Sequence, residues 1–221
     1  MSKNEKIQRW CEFLVLYVVL PVVVTFWAPS RAALSVLWIG GLVAWGLLRK
    51  TPEKEEETIL LKDVKRVPVR KELLVIGVRF VIGAAILTGL LYWLHPERLL
   101  FFPMTKPRMW LIVLVAYPVL SVFPQVIIYR LLFIRRYSSL FAHKHVALVV
   151  GALVFSWVHL SFRNPMALAF TLVGGFLFLH TYQRTRSVWL NILEHSLYGD
   201  FLFTIGWGYC LVHGGTQAFL K

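Results

Sequence analysis

The sequence predicts an all-α, polytopic transmembrane helical bundle of about seven spans, and three observations predict it. The chain is 58% hydrophobic and only 16% charged over 221 residues, with a mean hydropathy of +0.66, far more apolar than a soluble domain. Several apolar runs reach the roughly 17–25 residues that a helix needs to cross a bilayer core of about 30 Å. The alternation that a transmembrane barrel requires is missing from these runs.

Taken in order, the first run spans 10–28 behind Lys3, Lys6 and Arg9. It is longer than the apolar region of a signal peptide, and Pro29, Ser30 and Arg31 make a poor cleavage site, so it reads as a retained first helix with Glu12 at the interface. A second span, 32–48, follows a very short turn and carries Gly40 and Gly41, small residues that let a neighbouring helix approach. Residues 49–71 are polar, with Glu53 and three consecutive glutamates followed by Lys62, Lys65, Arg66, Arg70 and Lys71. They read as a cytoplasmic loop with a short interfacial helix over 59–67, or as a strip that docks anionic lipid or a partner.

The third span, 72–94, places Arg79 two turns in, either snorkelling to the headgroups or facing the bundle interior. A proline-punctuated loop with an interfacial Leu99–Phe102 run leads to the fourth span, 110–134, which Pro118 and Pro124 should bend. Spans 146–162, 165–182 and 187–211 complete the set, the last interrupted by glycines at 199, 206 and 208. The whole chain, 1–221, reads as one integral membrane domain.

The net charge of +13 could suggest nucleic acid, but Lys and Arg cluster at the ends of apolar runs, which suits topology and the lipid bilayer. With the N-terminus inside, sixteen of them flank the inner ends of the spans and six the outer ends, so the positive-inside rule favours N-in and C-out. No nucleic-acid partner is expected. Cys11 and Cys210 lack metal-ligand spacing and read as buried thiols.

Polar residues inside lipid are costly and point to function. Three stretches hold them: PQVIIYR (124–130), with Gln125 and Arg130; FSWVH (155–159), with His159 one helical turn after Phe155; and LEHSLYGD (193–200), with Glu194, His195, Tyr198 and Asp200. Arg130 is the expected partner of Glu194. A purely structural account makes these residues a satisfied network that fixes helix packing, and a transporter would need further charges along one pore. Their convergence from three spans favours a present or former active site. His143, His145, His180 and His213 read as interfacial or solvated.

In this order and spacing, PQVIIYR, FSWVH and EHSLYG resemble the signature motifs of the CAAX protease and bacteriocin-processing (CPBP, or Abi) family of intramembrane proteases, relatives of the Rce1-type CAAX endopeptidases. The family pattern is EExxxR, then FxxxH, then a histidine motif written HxxxN or HxxxD, and the resemblance covers 110–208. It implies a bacterial cytoplasmic (inner) membrane location and a cavity in which a motif-one glutamate activates water while His159 and His195 position it or bind a metal such as zinc. A carboxylate in a dry cavity can act as general base, and an imidazole can donate to an oxyanion or ligate a metal. This chain departs from the pattern: Gln125 and Val126 stand at the two glutamates, and Gly199 stands where Asn or Asp belongs. A missing general base forfeits a factor of about 100–10,000. Two readings follow: a degenerate protease that binds a membrane peptide or protein partner in the old cavity, or an active CAAX-type membrane metallopeptidase with Glu194 or Asp200 as replacement base.

Overall fold

A computed structural model describes residues 2–29, 32–51 and 68–212. The expected interfacial helix over 59–67, most of the polar loop, Arg31, His213 and the C-terminus lie outside the described residues. Those described form an all-helical bundle: α1 (Lys3–Trp27), α2 (Ala33–Arg49), α3 (Val69–Leu94), the short α4 (Phe101–Thr105), α5 (Pro107–Leu140), α6 (Lys144–Phe162), α7 (Pro165–Thr185) and α8 (Val188–Ile205). Five of these, α1, α3, α5, α6 and α7, are long and apolar enough to cross a membrane. The expectation of about seven spans is therefore met only in part. Helix α2, at 17 residues, is shorter, and α8 drops out because Asn191, Glu194, His195 and Asp200 dilute its apolar run.

Helix α1 begins with a reciprocal capping box: the Ser2 hydroxyl accepts from the Glu5 amide, and the Ser2 amide donates to the Glu5 carboxylate at 2.7 Å, which satisfies two donors the helix end leaves open. Helix α5 is the central element. Its two prolines lack amide protons, and the helix widens into π-helical turns at Pro118–Val122 and Ile127–Tyr137. Pro124 in particular cannot donate to the Leu120 carbonyl four residues back, and the Trp38 indole N–H of α2 fills that place at 3.1 Å. Likewise the Tyr17 hydroxyl of α1 donates to the Ile128 carbonyl at 2.6 Å. Gly40 and Gly41 allow this close seating, since a Cβ at either would stand 3.3 Å from Ile128 or Pro124.

Helix α5 runs past the expected end at 134, so Arg135 and Arg136 are buried in the helix rather than placed in a loop. The reason is a polar knot. Arg136 donates to both Glu12 carboxylate oxygens, at 2.7 and 2.8 Å, and to the Thr51 hydroxyl at 3.0 Å. Arg136 thus ties α1 and Thr51, just past α2, to the end of α5. Cys210 is buried, but Cys11 is exposed, which corrects the reading of two buried thiols: Cys11 lies on the face of α1 turned away from α5. The Leu99–Phe102 run is also more than a loop, because its end starts α4 and Phe102 is buried.

Helices α6 and α7 form the tightest pair. A Cβ at Gly175 would stand 3.0 Å from the Ala152 Cα, so only a glycine lets the two backbones approach this closely. Helix α8 stops at Ile205 rather than continuing to 211, because Gly206 takes φ 129°, a conformation open to glycine. Gly199 does not interrupt it.

Helix α3 is largely exposed; only Glu72, Ile76 and Leu91 are buried. Polar contacts fasten it: Glu72 pairs with Arg184 at 2.5 Å, Arg79 pairs with Glu194 at 3.3 Å, and the Tyr198 hydroxyl donates to the Arg79 carbonyl at 2.8 Å. Arg79 therefore faces the bundle interior.

Two outcomes are expected in thermal unfolding of the detergent-purified chain. Gly175→Val should cost about 1–3 kcal/mol by overpacking the α6–α7 contact, with little change from Gly46→Val, where a Cβ meets nothing within 4 Å. Arg79→Met should cost roughly 3–5 kcal/mol by leaving the Glu194 carboxylate buried without its cation, and the double change Arg79→Met with Glu194→Leu should recover most of that.

Candidate functional site

Between α1, α2, α3, α5, α6, α7 and α8 lies a cavity of about 930 Å³. Its walls are aliphatic and aromatic, and among the described residues no charged side chain lines it. A mostly apolar concavity of this size with a few polar groups in its wall is the kind of space that takes a ligand.

Three of the expected site residues, Gln125, His159 and His195, line this cavity together. Gln125 is 8% exposed; its amide nitrogen donates to the Ser121 hydroxyl at 2.8 Å, one helical turn back, and its Oε1 is buried with no hydrogen-bond partner among the described residues. His159 ends α6, and its Nδ1 lies 2.6 Å from the Phe155 carbonyl. A carbonyl only accepts, so Nδ1 carries the proton and Nε2 the lone pair.

His195 sits in an aromatic box. Phe178 stacks on its ring at 4.6 Å, and Phe155 and Tyr117 meet it edge-on at 5.5 and 6.1 Å. Phe155 also touches the His159 ring at 4.8 Å, so one phenyl separates and orients the two imidazoles. This is why the FxxxH spacing matters: four residues put Phe and His on one face of α6. The His195 Nε2 pairs with the Tyr117 hydroxyl at 3.3 Å, and Nδ1 is buried without a partner among the described residues.

Arg130 and Glu194 lie behind the wall instead of in it. Arg130 is 1% exposed and stacks its guanidinium over Phe155 at 3.9 Å and over Phe178 at 5.5 Å, so the rings that box His195 also carry the cation. The expected Arg130–Glu194 pair is not formed. Glu194, fully buried, turns to Arg79, whose Nη1 donates to it and to the Thr181 hydroxyl, both at 3.3 Å. The physical reason is the 100° between successive side chains on a helix: with His195 in the cavity, Glu194 faces α3 and α7. Asp200 likewise does not line the cavity.

The three departures from the family pattern now have local causes. Val126 is fully buried in the apolar core, away from the cavity. At Gly199 a Cβ would collide with the Tyr117 ring, so the Tyr117 hydroxyl fills the space beside His195 where a longer motif-three side chain would reach. Tyr117 and Ser121 escaped the sequence reading, although Tyr117, Ser121 and Gln125 recur every four residues and so share a face of α5. Asn191, which donates to the Phe178 carbonyl and holds that ring's backbone, carried no such signal.

A catalytic zinc commonly takes three protein ligands and an open position. Among the described residues no three His, Cys, Asp or Glu side chains come together, and the His195 Nε2 is engaged by Tyr117. The donors present do not fit zinc held by His159 and His195.

Residues 107–199 match the family model described as type II CAAX prenyl endopeptidase Rce1-like. No curated protein and no solved structure matches the chain. The match starts at the first residue of α5 and ends on α8, so it contains the π-helical turns, the Phe155–His159 pair, His195 and its aromatic box. With that match, the motif order and the helical bundle, the chain is an integral membrane protein whose 107–199 region is Rce1-like.

Proposed function

We propose that this chain is a non-hydrolytic CPBP/Rce1-like protein that keeps the old active-site cavity to bind a membrane peptide or the membrane segment of a partner protein. One observation carries the reading: among the described residues no carboxylate lines the cavity. The position that would supply a general base holds Gln125, whose amide neither accepts nor releases a proton at working pH. Its neighbour Val126 belongs to the core, Glu194 is committed to Arg79, and Asp200 is outside the wall. The aromatic support of His195 and the wide α5 turns remain, as suits binding without chemistry. The charge distribution supports a cytoplasmic N-terminus and an outer C-terminus, and the motif resemblance supports a bacterial inner-membrane placement.

The test is co-expression with a panel of membrane peptides, reading cleavage by mass spectrometry. The native chain should leave them intact. Gln125→Glu puts a carboxylate into the cavity beside the histidines and should raise hydrolysis by about 100–10,000-fold. Val126→Glu should give no activity and lose stability, because it buries an unpaired charge in the core. Cleavage by the native chain that disappears in Asp200→Asn or Glu194→Gln would overturn the reading and establish an active metallopeptidase with a replacement base.

A further inference from the structure

We infer that the cavity is a lipid site: between encounters with a peptide it holds a single-chain lipid whose polar end carries a hydrogen-bond donor, set against the Gln125 side-chain oxygen. The inference rests on the cavity being a binding site, and it fails separately from that reading, because hydrolysis is read on peptides and this on lipid alone.

Shape is the first argument. The residues of α5 that line the cavity run from Val113 to Leu132, about 28 Å at 1.5 Å per residue. A volume of about 930 Å³ drawn out over that length suits an extended hydrocarbon chain better than a compact ligand. Chemistry is the second. Among the described residues the wall carries no charged side chain, so none of them opposes hydrocarbon or pairs with an ionic headgroup. Access is the third: Leu34, Ile86 and Val173 line the cavity and are themselves 49%, 64% and 60% exposed, so the lining reaches the face that meets bilayer hydrocarbon.

Gln125 then decides the polar end. Its nitrogen is spent on Ser121, while its oxygen is buried and has no donor among the described residues. A buried acceptor without a donor is destabilising, and buried polar groups are nearly always paired. A hydroxyl at the end of the chain satisfies it. An ester, which only accepts, does not.

The probes are oleyl alcohol and methyl oleate, titrated separately into the delipidated full-length protein and read by native mass spectrometry. Oleyl alcohol should bind roughly 2- to 10-fold tighter, the worth of one hydrogen bond, and Gln125→Leu should erase that difference. Val173→Trp, which fills the cavity, should weaken both probes, while Val81→Trp, on an exposed position outside the lining, should leave both unchanged. Equal affinity of the native protein for the two probes, or binding that ignores Val173→Trp, would overturn the inference.

Discussion

A polar group buried between α1 and α8 can find a protein partner only inside the bundle, because hydrocarbon offers neither donors nor acceptors. That requirement organises the fold more than apolar packing does. Two prolines in α5 disturb the helical ladder, and the consequence is spread over three helices: π-helical turns open, Trp38 donates to Leu120, and Tyr17 donates to Ile128. The α1–α2 hairpin is thereby pinned to α5 by hydrogen bonds to two of its backbone carbonyls. The same irregular stretch presents Tyr117, Ser121 and Gln125 to the cavity.

Charge follows the same rule. Arg136 is matched by Glu12, Arg184 by Glu72, and Glu194 by Arg79. The last two pairs fasten α3, a helix with few buried apolar residues. Arg130 is handled differently: it lies on the faces of Phe155 and Phe178, and those rings also fix both imidazoles. A motif arginine therefore acts through aromatic rings that position His195 and lies outside the cavity.

The departures from the family pattern are mutually consistent. Gln125 replaces an acid and is held by Ser121. Gly199 replaces a side chain, and the Tyr117 ring occupies its space while the hydroxyl engages His195. Together these contacts leave a mostly apolar chamber, lined among the described residues by no Asp, Glu, Lys or Arg side chain. Keeping the histidines in place costs little once the aromatic box exists, since their rings are also core packing for Phe155 and Phe178.

By itself the sequence determined the helical, membrane-embedded class, because run length and apolar composition leave few other structures in lipid. It also determined which residues meet: the four-residue spacings in FSWVH and on α5 place Phe155 with His159, and Ser121 with Gln125, whatever the tertiary arrangement. Partner choice was decided only by the tertiary structure. Arg130 and Arg79 were both reachable cations for Glu194, and only the rotation of α8, set by seating His195 against Phe178, turned the carboxylate towards α3. The length of α5 was decided in the same way: local pattern places Arg135 and Arg136 at a helix end in the headgroups, whereas Glu12, more than 100 residues earlier in the chain, draws Arg136 into the bundle and extends the helix.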